Sequence, residues 1–464
     1  MRKIYFALAA FLMTATAFSQ GVTTASIGGK VTSTAEEPLI GATVIAVHVP
    51  SGTTYGAAAD FDGFYRISNM RTGGPYTITI SYVGFDDFVT EGIYLNLGQT
   101  TRISTQLAES ATALQEVVVT GISGGIFSSN KTGTETNVSQ RDINTLPAAS
   151  RSIADFVRIT PQAQVTEGND GFSISLAGQN NRYNAVYIDG AVNNDVFGLA
   201  GSGTNGGQTG VNPFSVDAIE TFQVNIAPFD VRQSGFSGGS INAITRSGSN
   251  EFSGSAYSFV RNQSLVGKTP PDLVGDGEER EKVSDFSALT YGIRLGGPIV
   301  KDKLFFFVNY ERQDDETPQP FNFSNYTGRS SQADIDGLAS FLQSNYGYNP
   351  GIFDNNTRTL ISDKLTAKID WNISQDHKLS IRHGYVKGDN LEARNSGNRN
   401  IGFINGSEAF VTTTNSTALE LSSRFGNKFA NNLVIGYTTV RDDRDPAGDP
   451  FPTVDIQDGG GTIS

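Results

Sequence analysis

The segment Lys364-Leu365-Thr366-Ala367-Lys368-Ile369-Asp370-Trp371-Asn372-Ile373 is apolar at every odd position and polar at every even one. Successive side chains of a strand point to opposite faces, so this pattern dictates an extended segment with one wet and one dry face. Lys378-Leu379-Ser380-Ile381-Arg382-His383-Gly384-Tyr385 repeats it, with His383 the one polar residue on the apolar side. Further candidates lie at 288–295, 304–310, 417–425 and 433–439, and a weaker one at 252–261. A soluble, half-buried sheet alternates in the same way, so the connections have to decide. Residues 299–303, 374–377 and 426–430 are tight, whereas 262–285, 313–362 and 387–414 are long. Tight turns alternating strictly with long loops are the build of an outer-membrane β-barrel, with turns periplasmic and loops external. A first strand rising from the periplasm puts every short connection on that side.

Composition supports β-structure and narrows function. Glycine supplies 52 of 464 residues, charged side chains only 17%, and Phe 30 and Tyr 16. Cysteine is absent, which excludes disulfide staples, thiolate metal sites and a cysteine nucleophile. A net charge of −13 argues against nucleic acid as a partner, because phosphates need a basic surface. Arg2 and Lys3 precede an apolar run over 4–13, and Ala17-Phe18-Ser19 offers the small residues of a cleavage site. That run is too short to span a bilayer, so residues 1–19 are expected to be a cleaved export signal. No Cys follows to carry a lipid, and no later apolar run is long enough for a membrane helix.

Residues 20–108 hold strand candidates at 27–32, 43–49, 63–68, 76–82, 93–97 and 101–107, which predicts a small β-sandwich. Asp60-Phe61-Asp62-Gly63 offers carboxylates but lacks the long loop and closing Glu of a calcium site, so a glycine turn is favoured. His48 has no second metal ligand nearby and reads as a packed or surface histidine. In the linker 109–121, Leu114-Gln115-Glu116-Val117-Val118-Val119-Thr120-Gly121 is extended by virtue of its three valines. It reads equally as a last sandwich strand or as an uncovered edge awaiting a partner strand. Residues 122–249 are rich in Gly and Asn, with a helix expected over 153–157, capped by Ser150 and stopped by Pro161. Ala185-Val186-Tyr187-Ile188-Asp189-Gly190 reads as a strand entering a turn. The tract 192–212 reads as a ligand-facing loop or, more simply, as a mobile polar linker.

Gly41-Ala42-Thr43-Val44, Asp60-Phe61-Asp62-Gly63-Phe64-Tyr65 and Tyr82-Val83-Gly84-Phe85 resemble the carboxypeptidase regulatory-like sandwich. That module precedes many TonB-dependent outer-membrane receptors of Bacteroidetes. Residues 178–190, 217–224 and 238–245 resemble the plug domain of those receptors. Ala177-Gly178 stands where Arg-Gly is usual, with Arg182 four residues on. Asp195-Val196-Phe197-Gly198, Val211-Asn212-Pro213-Phe214-Ser215-Val216, Phe229-Asp230-Val231-Arg232 and Gly235-Phe236-Ser237-Gly238-Gly239 look most like the Oar-like branch. The pattern of the starch-utilisation branch is missing.

The resemblance implies a mainly β fold: an N-terminal β-sandwich over 20–108, an α/β plug over 122–249, and the first seven or so strands of a transmembrane antiparallel β-barrel over 250–464. It implies outer-membrane import energised by TonB and the inner-membrane complex, with residues 114–121 captured by strand addition. Cargo would be peptide or protein by the Oar-like branch, or a siderophore, cobalamin or glycan by the wider superfamily. Receptors of this kind close with about 22 strands, so the chain is expected to be the N-terminal part of a longer protein, with the barrel incomplete.

If odd positions meet lipid, the lumen receives Arg294, Lys364, Lys368, Lys378, Arg382 and Arg424, opposed by Asp370 and Glu420. The segment 122–249 carries seven Lys/Arg against ten Asp/Glu. The expectation is a basic wall holding an acidic plug by many water-softened pairs, each worth about 0–1 kcal/mol, rather than one anchor; charges that merely solvate a wet lumen are the alternative. Tyr310 flanks the long loop that holds Phe321, Phe323, Tyr326, Tyr346 and Tyr348. These aromatics either stack on ligand or pack within the loop, which also holds a short helix expected over 331–344. No catalytic constellation is present, His48, His377 and His383 lack metal-ligand spacing, and no cofactor is called for. Two rivals remain: an outer-membrane adhesin without transport, and a secreted glycan-binding β-sandwich protein.

Overall fold

The computed structural model describes residues 21–464 apart from 111–133, 147, 149–150, 169–170, 227–232, 234, 276–278 and 427–428. The expected export signal over 1–19 and the segment 114–121 lie outside the described residues.

The N-terminal domain is a sandwich of two four-stranded sheets. One holds β1 (Ala25–Ser33), β4 (Phe64–Met70), β7 (Thr100–Arg102) and β8 (Thr105–Leu107); the other holds β2 (Thr43–His48), β3 (Thr53–Ala58), β5 (Gly73–Ser81) and β6 (Phe88–Leu95). Alternation aims Ile27 and Val31 of the first sheet, and Val44, Ala46, Ile78 and Ile80 of the second, into one core. Strand β3, absent from the expectation, carries Gly56, Ala57 and Ala58 and is held by its register with β2, so pairing overrides weak propensity. Asp60 spends a carboxylate oxygen on the amides of Asp62 (3.0 Å) and Phe64 (2.8 Å), and Gly63 takes a φ of +78°. His48 is buried against the Tyr76 ring, with Nδ1 2.7 Å from Ser51 Oγ. Burial, helped by the Arg71 charge, pulls its pKa from 6.5 to about 3.

The middle domain is built on a five-stranded sheet in the order β13-β12-β15-β14-β9. These strands span Thr134–Ser139 (β9), Ala185–Ile188 (β12), Ala191–Val192 (β13), Ile219–Ile226 (β14) and Gly239–Thr245 (β15), and a hairpin of β10 (Ala163–Gly168) and β11 (Gly171–Leu176) packs beside them. Helices α1 (Gln140–Thr145) and α2 (Ile153–Val157) complete its core with Ile153, Phe156, Phe222 and Ile241. The cap of α2 is Ser152, whose side chain accepts from the Ala154 amide and which forms a capping box with Asp155. The helix occupies the expected residues 153–157, but its cap is Ser152 rather than the expected Ser150, which lies outside the described residues. The tract 192–212 is folded rather than a free linker. Its Asp195 carboxylate accepts from the amides of Phe197 (3.1 Å), Leu199 (2.6 Å) and Ala200 (2.6 Å), so polarity that reads as solvation is spent on the loop's own backbone.

The C-terminal half is one seven-stranded antiparallel sheet. Its strands are β16 (Ser253–Asn262), β17 (Ser287–Val300), β18 (Leu304–Gln319), β19 (Asn356–Asn372), β20 (His377–Glu392), β22 (Glu408–Phe425) and β23 (Phe429–Pro446), with the short β21 (Asn400–Ile401) in a loop. Apart from the short β21, each strand pairs antiparallel with the next along the chain, with one irregularity between Pro298 and Val300. Ile293, Leu295, Val308, Leu365, Ile369, Trp371, Ile381, Ile435 and Tyr437 are exposed on one face. The other face buries Phe305, Asn309, Glu311, Lys364, Lys368 and Arg382. Most strands outrun their apolar cores because polar halves such as 312–319 and 387–392 stay paired beyond the membrane-height region. Among the described residues no helix is long and apolar enough to cross a membrane.

In the longest loop, α3 (Gln332–Tyr346) is capped by Ser331 and stopped by Gly347 at φ +68°. Together with β21, β24 (Ile456–Asp458) and β25 (Gly461–Ile463) it builds a small external core around Ile335, Phe353, Ile401, Phe403 and Ile463.

Candidate functional site

The apolar strand β12 delivers Asp189 into a tight turn, with φ +47° at Asp189 and +76° at Gly190. That turn drives a buried carboxylate against the polar face of the large sheet. Oδ1 accepts from the Thr245 amide (3.0 Å) and from Lys368 Nζ (3.3 Å); Oδ2 accepts from Thr245 Oγ1 (2.6 Å) and Arg382 Nε (3.2 Å). Both cations have further acceptors: Lys368 donates to the Thr245 carbonyl (3.1 Å), and Arg382 to the carbonyls of Ile188 (3.0 Å) and Ser416 (3.0 Å). Burial pushes the Asp189 pKa up, but Lys368, Arg382 and the Thr245 bonds outweigh it and hold the carboxyl below its ordinary value.

Lys368 and Arg382 are direct cross-strand partners between β19 and β20. Like charges facing each other across a sheet repel, and here both are buried. The sheet alone therefore presents an unfavourable cation pair, and the middle domain supplies its counter-ion.

One step along β19 the arrangement differs. Lys364 faces Glu311 of β18 in register and pairs with it at 3.0 Å, both side chains nearly inaccessible. Glu311 also accepts from Tyr257 Oη of β16 (2.9 Å) and from Ser215 Oγ of the middle domain (2.8 Å). The middle domain adds Arg151, which pairs with Asp217 and lies 4.0 Å above the Phe259 ring.

The remaining expected lumen cations go elsewhere. Arg294 donates to Ser255 Oγ (2.7 Å) within the sheet, Lys378 lies 4.2 Å above the Tyr55 ring, and Arg424 pairs with Asp376 (2.7 Å) and reaches the Gly56 carbonyl. Among the described residues, Lys368 and Arg382 are the two of the six cations that touch a middle-domain carboxylate, and they share one. Many dilute pairs are thus replaced by one buried anchor, because the pleat aims both cations at a single inward turn.

Among the loop aromatics, Phe321, Phe323 and Tyr326 pack onto the external core, and Tyr326 Oη donates to Asp458 (3.0 Å). Tyr348 stacks on Phe451 at 4.2 Å and Tyr346 meets the same ring edge-on. Tyr310 donates to Asp363 (2.6 Å). Asp189, Ser215 and Arg151 escaped the sequence reading. An Asp-Gly turn ending a fully apolar strand was the available signal for Asp189. Among the described residues no group of three or more His, Asp or Glu is placed to hold a metal ion.

Three family models match in succession. A carboxypeptidase regulatory-like domain covers residues 26–108, a TonB-dependent receptor plug domain 127–241, and an outer membrane beta barrel domain 244–359. The chain thus carries, in order, a carboxypeptidase regulatory-like domain, a TonB-dependent receptor plug domain and part of an outer-membrane β-barrel. The middle domain is its plug, the seven-stranded sheet part of its barrel, and its location the outer membrane. The TonB-dependent transporter Oar of Myxococcus xanthus is 28% identical over 316 residues, which is 65% of this chain and 28% of that protein. The outer membrane transporter YddB of Escherichia coli is similar at 13% identity and a TM-score of 0.48, over 68% of this chain and 40% of that one. The siderophore receptor PirA of Acinetobacter baumannii is similar at 17% identity and a TM-score of 0.45, over 67% and 40%. The chain spans less than half the length of these relatives.

Proposed function

We propose that this chain is the exported N-terminal part of a TonB-dependent receptor that imports a bound ligand into the periplasm, of the Oar-like, Bacteroidetes type. The observation that carries the reading is the Asp189 anchor. A plug fixed to the lumen wall by one buried carboxylate is closed at rest, yet it opens once that carboxylate is displaced. An adhesin has no use for such a plug. Nothing in this cycle makes or breaks a covalent bond; the work is binding, holding and mechanical release.

Residues 114–121 are the point of capture by TonB, with the inner-membrane complex supplying the energy. Their support is position: they lie in sequence between sandwich and plug, where a pull reaches the plug directly. The strands β16 and β23 each have one unpaired edge within this sheet. Edges in lipid cost several kcal/mol per unpaired group, so the barrel closes with strands beyond those described here. Ligand is taken up from the external side, where the loop core and the Tyr346–Tyr348–Phe451 cluster lie.

Deleting residues 114–121 tests the reading. Labelled candidate nutrients should accumulate in receptor-positive cells but not in the deletion strain, while the protein stays in the outer membrane. Undiminished uptake by the deletion variant contradicts it.

A further inference from the structure

The N-terminal sandwich touches plug and barrel at once, along one rim. Toward the barrel, the Asn250 amide donates to the Pro50 carbonyl (2.8 Å), Asn372 to Thr53 Oγ1 (2.9 Å) and Asn69 to the Asn431 carbonyl (3.3 Å). Lys378 lies over Tyr55 and Arg424 reaches Gly56. Asn250, Asn372, Lys378, Arg424 and Asn431 all flank the tight-turn ends of strands from β16 to β23, so the sandwich spans the periplasmic rim of the whole sheet.

Toward the plug the contact is buried and polar. Gln223 of β14 donates to the Leu97 carbonyl (2.8 Å) and to Glu135 of β9 (3.1 Å), while Gln99 of the sandwich donates to the same Glu135. Val22, Leu97 and Ile244 close a small apolar cluster beside these bonds. The leading segment lies on the anchor turn itself: the Gly21 amide donates to the Gly190 carbonyl (3.1 Å), and Thr23 bonds Glu420 of β22 (2.6 Å). A cavity of mixed lining, with Thr23, Arg71, Asp189, Lys368 and Glu420 beside Ile244 and Phe305, lies where the three domains meet. The sandwich thus covers, from the periplasmic side, the buried carboxylate that fixes the plug.

We infer that the sandwich is a periplasmic latch: docked on rim and plug together, it keeps the anchor dry, and it lifts before the plug can move. Water reaching Asp189 weakens its ion pairs, because a buried pair loses strength as the local dielectric rises. Force entering the chain between residues 110 and 134 acts on the docked sandwich on one side and on the plug on the other, so the pull that draws the plug also lifts the sandwich. This goes beyond the transport reading and takes from it which side of the membrane is periplasmic and where the pull enters the chain.

The test uses the full chain in outer-membrane vesicles, without ligand or TonB, so its outcome is independent of the transport reading. The chain has no cysteine of its own, so Thr53→Cys with Asn372→Cys forms a unique pair, bridged by oxidation or by a short bis-maleimide. Gln99→Glu sets two carboxylates against each other at Glu135, and Gln99→Glu with Glu135→Gln restores a donor and an acceptor. Hydrogen exchange is followed in β12, β14 and β15. The latch predicts efficient bridging, slower plug exchange in the bridged form, plug exchange about tenfold faster in Gln99→Glu, as for a lost buried hydrogen bond, and recovery in the double variant. Failure of both bridging chemistries, or a Gln99→Glu effect confined to the sandwich with β14 and β15 unchanged, overturns it.

Discussion

Lys364 and Lys368 stand four residues apart on the same face of β19, and they solve the same problem differently. Lys364 finds its carboxylate inside the barrel wall, at Glu311 of the next strand. Lys368 faces another cation, Arg382, and borrows its carboxylate from the plug. A buried cation satisfied within the wall stiffens the wall; one satisfied from the plug ties two bodies together. The difference teaches where the plug is held, and it does so without reference to total charge. The plug's net negative charge is a poor guide, because one of its carboxylates makes the buried contact.

The largest expected effect follows from removing that carboxylate. Asp189→Asn leaves two buried cations face to face and should weaken plug retention by about 3–5 kcal/mol, the cost of breaking a buried ion pair from one side. Faster hydrogen exchange in β12 and β15, with the β18–β19 seam unchanged, would show it. Glu311→Gln should reverse the pattern. The β18–β19 seam loosens by a comparable amount, whereas the plug loses only the Ser215 bond, about 1 kcal/mol.

Acid sharpens the contrast between anchor and latch. Asp189 is held below its ordinary 3.8; the stability it gives is complete above that value and is lost only as pH falls through the depressed one. His48 is neutral in the folded sandwich and protonates in the unfolded chain below 6.5, so sandwich stability is full above 6.5 and declines toward about 3. Unfolding of the sandwich followed against pH should show this earlier decline, and His48→Gln should remove it. The smallest effect is external: Tyr326→Phe, which removes the bond to Asp458, should cost about 1 kcal/mol of loop stability and leave plug exchange alone.

The barrel strands were legible because period-two alternation and turn length are local properties. Lys364–Ile373 carries its whole geometry in ten letters. The helix of the external loop was legible from another local signal, the helical spacing of Ile335, Leu338, Phe341 and Leu342, although its cap at Ser331 was not. The anchor was only half legible. Alternation places Lys368 and Arg382 on the lumen side, but that they face each other depends on the β19–β20 register, and that they meet Asp189 depends on how the plug sits in the sheet. Neither is written within one window of sequence. The cap of α2 slipped by two residues because Ser150 and Ser152 are chemically equal candidates, and the backbone path chooses between them. Strand β3 was missed because only Thr53, Thr54 and Tyr55 favour a strand, and Gly56, Ala57 and Ala58 extend it through pairing with β2.

The central claim is that the plug is held by one buried carboxylate shared between two barrel cations. A double-mutant cycle of Asp189→Asn and Arg382→Gln, read by hydrogen exchange in β12 and β15, tests it directly. The anchor predicts strong non-additivity: removing Arg382 as well relieves the cation pair, so the double variant exchanges more slowly than the sum of the single effects requires, with a coupling of about 1–3 kcal/mol. Additive effects, or single variants whose plug exchanges like the parent, would contradict the account.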